Sequence, residues 1–251
     1  MPDIGPIPDA LSAWIALVMV IVARLSFIVF FMPGIGEQTI PLQMRLMVLL
    51  ALAAAFSIAG FVTPPPTDSF ASYTGVLASE VAIGFGLGVM LRVTIWVLAI
   101  AGTVISQSIG LSQLLGIALE HEQQTLVANL LSMAGAALLL SADFHIKAIA
   151  SLLRLYVDIP IGALETVNRD MLVQGSMSAV GLAVMLAWPF VAVNLLYNIC
   201  LGFINKALPS LMVAFVGAPL MIGAGILLLA LSVMGILVVW EGRIPDIVVW
   251  Q

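Results

Sequence analysis

Residues 208–240 read LPSLMVAFVGAPLMIGAGILLLALSVMGILVVW, 33 positions without one charged side chain. As a single helix they would reach roughly 50 Å at about 1.5 Å per residue. The hydrocarbon core of a bilayer is only about 30 Å thick. So the run is apolar enough to enter a membrane, yet too long for one straight crossing. Pro219, inside the loose stretch VGAPLMIGAG, makes a kinked or broken helix, or a tight hairpin, the natural expectation. Met171–Ile204 is similarly overlong and carries its own proline, Pro189.

The rest of the chain has the same character. Hydrophobic residues make up 63% of 251 and charged residues 8%, with a mean hydropathy of +1.22. A soluble domain is nearer half apolar and a quarter charged. The fold class is therefore all-α and polytopic, because lipid-exposed backbone must satisfy its own hydrogen bonds and no strand-like alternation is present. Eight basic and 13 acidic residues give a net charge of −5, which carries no nucleic-acid footprint.

Six hydrophobic blocks emerge, roughly Ala10–Met32, Met44–Val62, Tyr73–Gly110, Thr125–Ala142, Met171–Ile204 and Leu208–Trp240. The breaks between them are TPPPTD at 63–68, LEHEQQ at 119–124, ADFHIK at 142–147 with the stretch 154–170, and the Asn205–Lys206 pair. No segment is polar enough for a second domain, so 1–251 reads as one. The opening MPDIGPIPDALSAW has two aspartates and no lysine or arginine, so no signal-peptide cleavage is expected. Cys200, the single cysteine, lies in an apolar run and reads as a buried, inert thiol.

Basic residues in short loops normally orient membrane spans. Here Arg24, Arg45, Arg92, Lys147, Arg154, Arg169, Lys206 and Arg243 give no clean alternation. Arg24 and Arg92 sit inside apolar blocks, where an arginine costs from about 2.5 kcal/mol upward and faces a partner or water. Glu80 and Glu37 are the candidate partners; snorkelling to an interface is the alternative. Gly84-xxx-Gly88 in GFGLG and the Ala51/Ala55 pair have the small-residue spacing that lets helices approach closely.

Chemical motifs are sparse. There is no phosphate-binding G-x-x-x-x-G-K-[ST], no G-x-S-x-G and no H-E-x-x-H. Glu120, His121 and Glu122 are adjacent, so on a helix they diverge, and no second cluster completes a metal shell. No metal, cofactor or catalytic residue is assigned. His145 reads as a structural or interfacial hydrogen-bonding group. Ile105–Gln124, ISQSIGLSQLLGIALEHEQQ, is too polar for lipid and too apolar for a plain loop. Such a segment is a re-entrant connector, or it lines or blocks an aqueous path.

Four stretches then resemble, in order, the FliR family of the type III export gate, also found as the T component of virulence secretion systems. RLSFIVFFMPGIGEQTIPLQMRL is similar to the family's early arginine, its Pro-x-x-Gly turn and its Pro-x-x-x-Arg entry to the second block. SEVAIGFGLGVMLR resembles the Glu-x-x-x-Gly-x-x-x-Gly stretch. LLLSADFHIKAIASLLRLYVDIPIG resembles the His-centred segment ending in Leu/Ile-Pro-x-Gly, and KALPSLMVAFVGAPLMIGAGILLL the terminal Pro…Gly-x-Pro block. The chain departs from the pattern at Ala142-Asp143-Phe144 (often Asn-Gly), at Ser210-Leu211-Met212, and in the central loop. There Leu114, Leu115 and His121-Glu122 replace aromatics and an Asp-Pro.

The resemblance implies helical hairpins packed with FliP-like and FliQ-like subunits into a channel raised largely out of the bilayer, together with an FlhB-like switch protein. It implies the bacterial inner membrane and flagellar basal body, unfolded export substrates, and no catalysis by this chain. The central loop, about 105–122, would be a channel plug. Gln107, Gly110, Ser112, Gln113 and Gly116 would let it yield; Leu111, Leu114 and Leu115 would seal it at rest. Arg24, Pro33, Glu37, Pro41, Arg45, Glu80, Arg92, His145, Pro209 and Pro219 would be subunit-interface or structural positions, with Glu37, Gln38, Gln43 and Arg45 pairing to a neighbour. Cargo is read as flagellar, with a virulence effector set as the variant. Two rivals stand beside this. One is a secondary transporter using Arg24, Arg92 and Glu80; the other is an intramembrane enzyme using Glu120, His121 and His145.

Overall fold

The computed structural model describes residues 6–37, 40–60, 62, 69–110, 125–207 and 213–248. Among them every regular element is helical: α1 Pro6–Phe31, α2 Leu42–Ile58, α3 Phe70–Ile109, α4 Leu126–Ser141, α5 Phe144–Asp158, a short 3-10 turn Leu164–Thr166, α6 Arg169–Ala207, α7 Val213–Gly242 and the one-turn α8 Ile244–Ile247. Among the described residues four helices are long and apolar enough to cross a membrane: 11–31, 70–109, 169–207 and 217–242; α4 and α5 qualify only as a broken pair. At 40 and 39 residues, α3 and α6 extend about 60 Å each, twice a hydrocarbon core.

Both expected proline sites lie inside continuous helices: Pro189 in α6 and Pro219 in α7. Neither starts a hairpin. Each removes one backbone donor, but the helix on either side continues the ladder. The expected polar break at 142–170 is also largely helical. Phe144, Ala148, Ser151, Leu152, Leu155 and Tyr156 are the buried face of α5, at the i, i+4, i+7, i+8 spacing of an amphipathic helix. Asp143, just before it, holds φ +56°, the left-handed conformation that Asp and Asn tolerate better than most residues.

The chain falls into two compact units, and α3 and α6 contribute to both. The first comprises 1–93, 139–176 and 248–251. Within it α1 turns a stripe inward: Leu17, Val20, Ile21, Leu25, Ile28 and Val29 are buried. Helix α2 packs beside α1 and buries Leu49, Ala53, Phe56 and Ser57. The first half of α3 runs parallel to α1, because partners advance together along both helices. Tyr73 donates to the Ala16 carbonyl at 3.2 Å, and Arg24 pairs with Glu80. Gly84 abuts the Arg24 carbonyl, and Gly88 abuts that of Phe27. A Cβ at either glycine would collide with α1 backbone, so this small-residue face is used within the chain. Ala51 and Ala55 remain exposed.

The second unit comprises 94–138 and 177–247. Trp240 is wholly buried and its indole N–H donates to the Thr94 carbonyl at 2.8 Å. Gly102 lets α3 lie against Ala128 of α4, and Gly135 leaves room for Leu98 and Trp240. Cys200 on α6, expected to be buried, is exposed.

Candidate functional site

The most concentrated chemistry in the described residues surrounds Arg24. Position 24 falls on the inward stripe of α1, and Glu80 faces it from α3. Arg24 Nε donates to Glu80 Oε2 at 2.6 Å and Nη2 to Oε1 at 2.8 Å, with both side chains fully buried. The turn after α5 closes over the pair. Arg24 Nη1 reaches the Ile159 carbonyl at 2.9 Å and Nη2 the Pro160 carbonyl at 3.4 Å. Gly162 donates its N–H to Glu80 Oε1 at 2.9 Å, from a φ of +78° that suits glycine. The guanidinium also lies 4.3 Å over the Tyr156 ring, a cation–π geometry. A buried pair persists only when its remaining donors and acceptors are met, and here backbone groups meet them.

A second pair joins Arg92 to Glu37 at 2.8 Å, with 20% and 27% of the side chains exposed. Both belong to the first unit. Glu37 lies between α1 and α2, and the special residues described around it each have a local reason. Gly34 takes φ +85° beneath Leu140, and a Cβ on Gly36 would meet the Phe30 carbonyl. Gly36 N–H bonds the Met32 carbonyl at 2.7 Å. Pro41 precedes α2 with φ −55°, and its carbonyl accepts the first α2 donors. Arg45 donates to the Ile40 carbonyl at 3.1 and 2.8 Å and to that of Glu37. The polar groups of Glu37 and Arg45 are thus engaged inside the chain.

The central segment is only partly described. Gln107 is exposed on the last turn of α3, its carbonyl accepting from the N–H of Gly110 at 3.1 Å. Gly110 ends the helix with φ +80°, a left-handed stop. Ile105–Ile109 are therefore helical rather than the start of a connector. Leu111, Ser112, Gln113, Leu114, Leu115 and Gly116 lie outside the described residues, as do Glu120, His121, Glu122 and Pro209. Among the described residues no group of three His, Cys, Asp or Glu side chains is placed to hold a metal. His145 is half-buried, and its buried Nδ1 finds no hydrogen-bond partner among the described residues.

Sequence reasoning points to Arg24 and Glu80 but misses what covers them: Tyr156 and the 159–162 turn. The Ile-Pro-x-Gly motif is visible in the sequence; that its backbone caps an ion pair more than 80 residues away has no local signal.

Two comparisons bear on this arrangement. The sequence profile of the bacterial export proteins, family 1, matches residues 15–246. The flagellar biosynthetic protein FliR of Caulobacter vibrioides is 34% identical over 231 residues, covering 90% of this chain and 91% of that protein. Its namesake in Aquifex aeolicus is 27% identical over 227 residues, 89% and 87% of the two chains. That of Escherichia coli is 26% identical over 224 residues, 87% and 84%.

Proposed function

The chain belongs to the bacterial export proteins, family 1, and from that premise we propose that it is a channel-forming subunit of the flagellar protein-export gate. It would act in the bacterial inner membrane at the flagellar basal body, with FliP-like and FliQ-like subunits and an FlhB-like switch protein. Its task would be gated passage of unfolded substrates, with no catalysis by this chain. The observation that supports this best is the match to flagellar relatives across nine-tenths of the chain. The helices agree with it: α6 and α7 expose Val180, Trp188, Leu196, Phe203, Leu220 and Leu231, and at about 60 Å α6 outruns a bilayer. Neighbouring subunits would cover what lipid does not.

The plug, read as about 105–122, would begin on the last turn of α3, where Gln107 lies, and continue past Gly110. The transporter reading draws less support: of its three residues, Arg24 and Glu80 are buried and capped by the 159–162 backbone, and Arg92 is paired with Glu37.

Native mass spectrometry after co-expression with the FliP-like and FliQ-like proteins of the same genome tests the proposal. A discrete mixed complex supports it, and a homo-oligomer that ignores both partners sinks it. Removal of 111–116 tests the plug: the expected outcome is an assembled gate that leaks ions. An intact permeability barrier would move the plug elsewhere.

A further inference from the structure

Outside the two ion pairs, the C-terminal half of α6 carries a polar stripe in an otherwise apolar surface. At about 100° per residue, Asn194, Asn198, Gly202 and Asn205 fall within roughly an 80° arc of the helix. Asn198 and Asn205 are exposed and Asn194 half-buried. Asn198 Nδ2 donates to the Asn194 side-chain oxygen and backbone carbonyl, both at 2.9 Å. Among the described residues, the Asn194 amide N–H groups and the Asn198 oxygen make no further bond. At Gly202 an added Cβ would meet nothing within 4 Å.

The flanks narrow what lies against this stripe. On one side Tyr197 and Leu201 pack over Gly217 of α7. On the other, Leu195, Leu196, Ile199 and Phe203 are 59%, 63%, 49% and 72% exposed. So wide an apolar flank does not belong in bulk water. Lipid tails, for their part, offer the amides no partner. Asn194 and Asn198 lie about 18 and 12 Å along the helix from Lys206, which marks its polar end. A helix bearing amide or hydroxyl groups satisfies both demands: its polar groups meet the asparagines, and Gly202 lets its backbone come close. A second copy of this chain fits poorly. Two copies inserted with the same orientation share a two-fold axis along the membrane normal, which sets the helices parallel and Lys206 beside Lys206.

We propose that the Asn194–Asn198–Gly202–Asn205 face of α6 docks an apolar helix of a different subunit of the export assembly, one carrying amide or hydroxyl side chains at the depth of Asn194 and Asn198. This rests on the export reading above.

The test places a benzoylphenylalanine photocrosslinker at Asn198 in the full chain, expressed with the export genes in native membranes. The expected product is one adduct with another membrane subunit. An adduct only with a secreted substrate, only with a second copy, or only with lipid overturns the inference. Gly202→Leu is the companion variant: because the site is open, the chain keeps its membrane level while recovery of partner subunits falls about three- to tenfold. Wild-type recovery from Gly202→Leu also overturns it. If no export subunit co-purifies with the wild-type chain, the export reading itself fails. If subunits co-purify but Asn198 captures none, this inference alone fails.

Discussion

The guanidinium of Arg24 rests 4.3 Å from the centre of the Tyr156 ring, while the buried hydroxyl of Tyr156 finds no hydrogen-bond partner among the described residues. The ring and not the hydroxyl is then the useful part of this side chain. Phe56 meets the same ring edge-on, with centroids 6.1 Å apart. Tyr156→Phe should leave the stability of the detergent-purified chain, read from its thermal midpoint, unchanged or raise it by up to about 1 kcal/mol of relieved desolvation. Tyr156→Ala should lower stability by about 3–5 kcal/mol. A Phe variant as damaged as the Ala variant would show that the hydroxyl has a partner after all.

Arg24→Met strands Glu80 as a buried, unpaired carboxylate, and a change of this kind costs about 3–5 kcal/mol. Arg24→Met with Glu80→Met removes both charges and should recover much of that loss. The measurement is the amount of folded chain in membranes for each single variant and the double. Additive losses would contradict a direct pair.

The Glu37–Arg92 pair is partly wet, so Glu37→Gln should cost no more than about 1 kcal/mol. Arg45→Met should be worse, because it removes the side-chain donors to the Ile40 and Glu37 carbonyls and loosens the entry to α2. Limited proteolysis between α1 and α2 reads this out. Equal cleavage of the two variants would count against the ranking.

Two glycines in helices predict opposite responses to alanine. At Gly84 a methyl group strikes the Arg24 carbonyl, and overpacking of this kind costs about 1–3 kcal/mol. At Gly181 it meets open space and should stabilise by up to about 1 kcal/mol. Melting both variants in the same detergent decides the point, and a destabilised Gly181→Ala is the outcome that breaks it.

The helices with the longest apolar runs are legible in the residues themselves, because hydropathy alone marks α1, α3, α6 and α7. Helix α5 is not, since Asp143, His145, Lys147 and Arg154 make 142–170 resemble a break. Its period is present in Phe144, Ala148, Leu152, Leu155 and Tyr156, but an amphipathic helix among spans carries a weaker signal than the spans do. Arg24 and Glu80 stand out as charges in apolar blocks, and opposite sign suggests the pairing. The capping turn does not stand out, because backbone carbonyls leave no trace in side-chain identity. Pro189 and Pro219 suggest a kink, a break or a hairpin; the helices continue through both positions, which leaves neither a break nor a hairpin there.

The clamp around Arg24 also sets an order of events during synthesis. Its carboxylate partner lies 56 residues downstream, so at about 5–20 residues per second Arg24 waits roughly 3–11 s for Glu80 to emerge. The Ile159 carbonyl follows 135 residues after Arg24, some 7–27 s at the same pace. A nascent chain that stops short of Gly162 therefore carries an open charge pair in its most apolar part. Ribosome pausing between these points would lengthen the interval in which the insertion machinery has to shelter it.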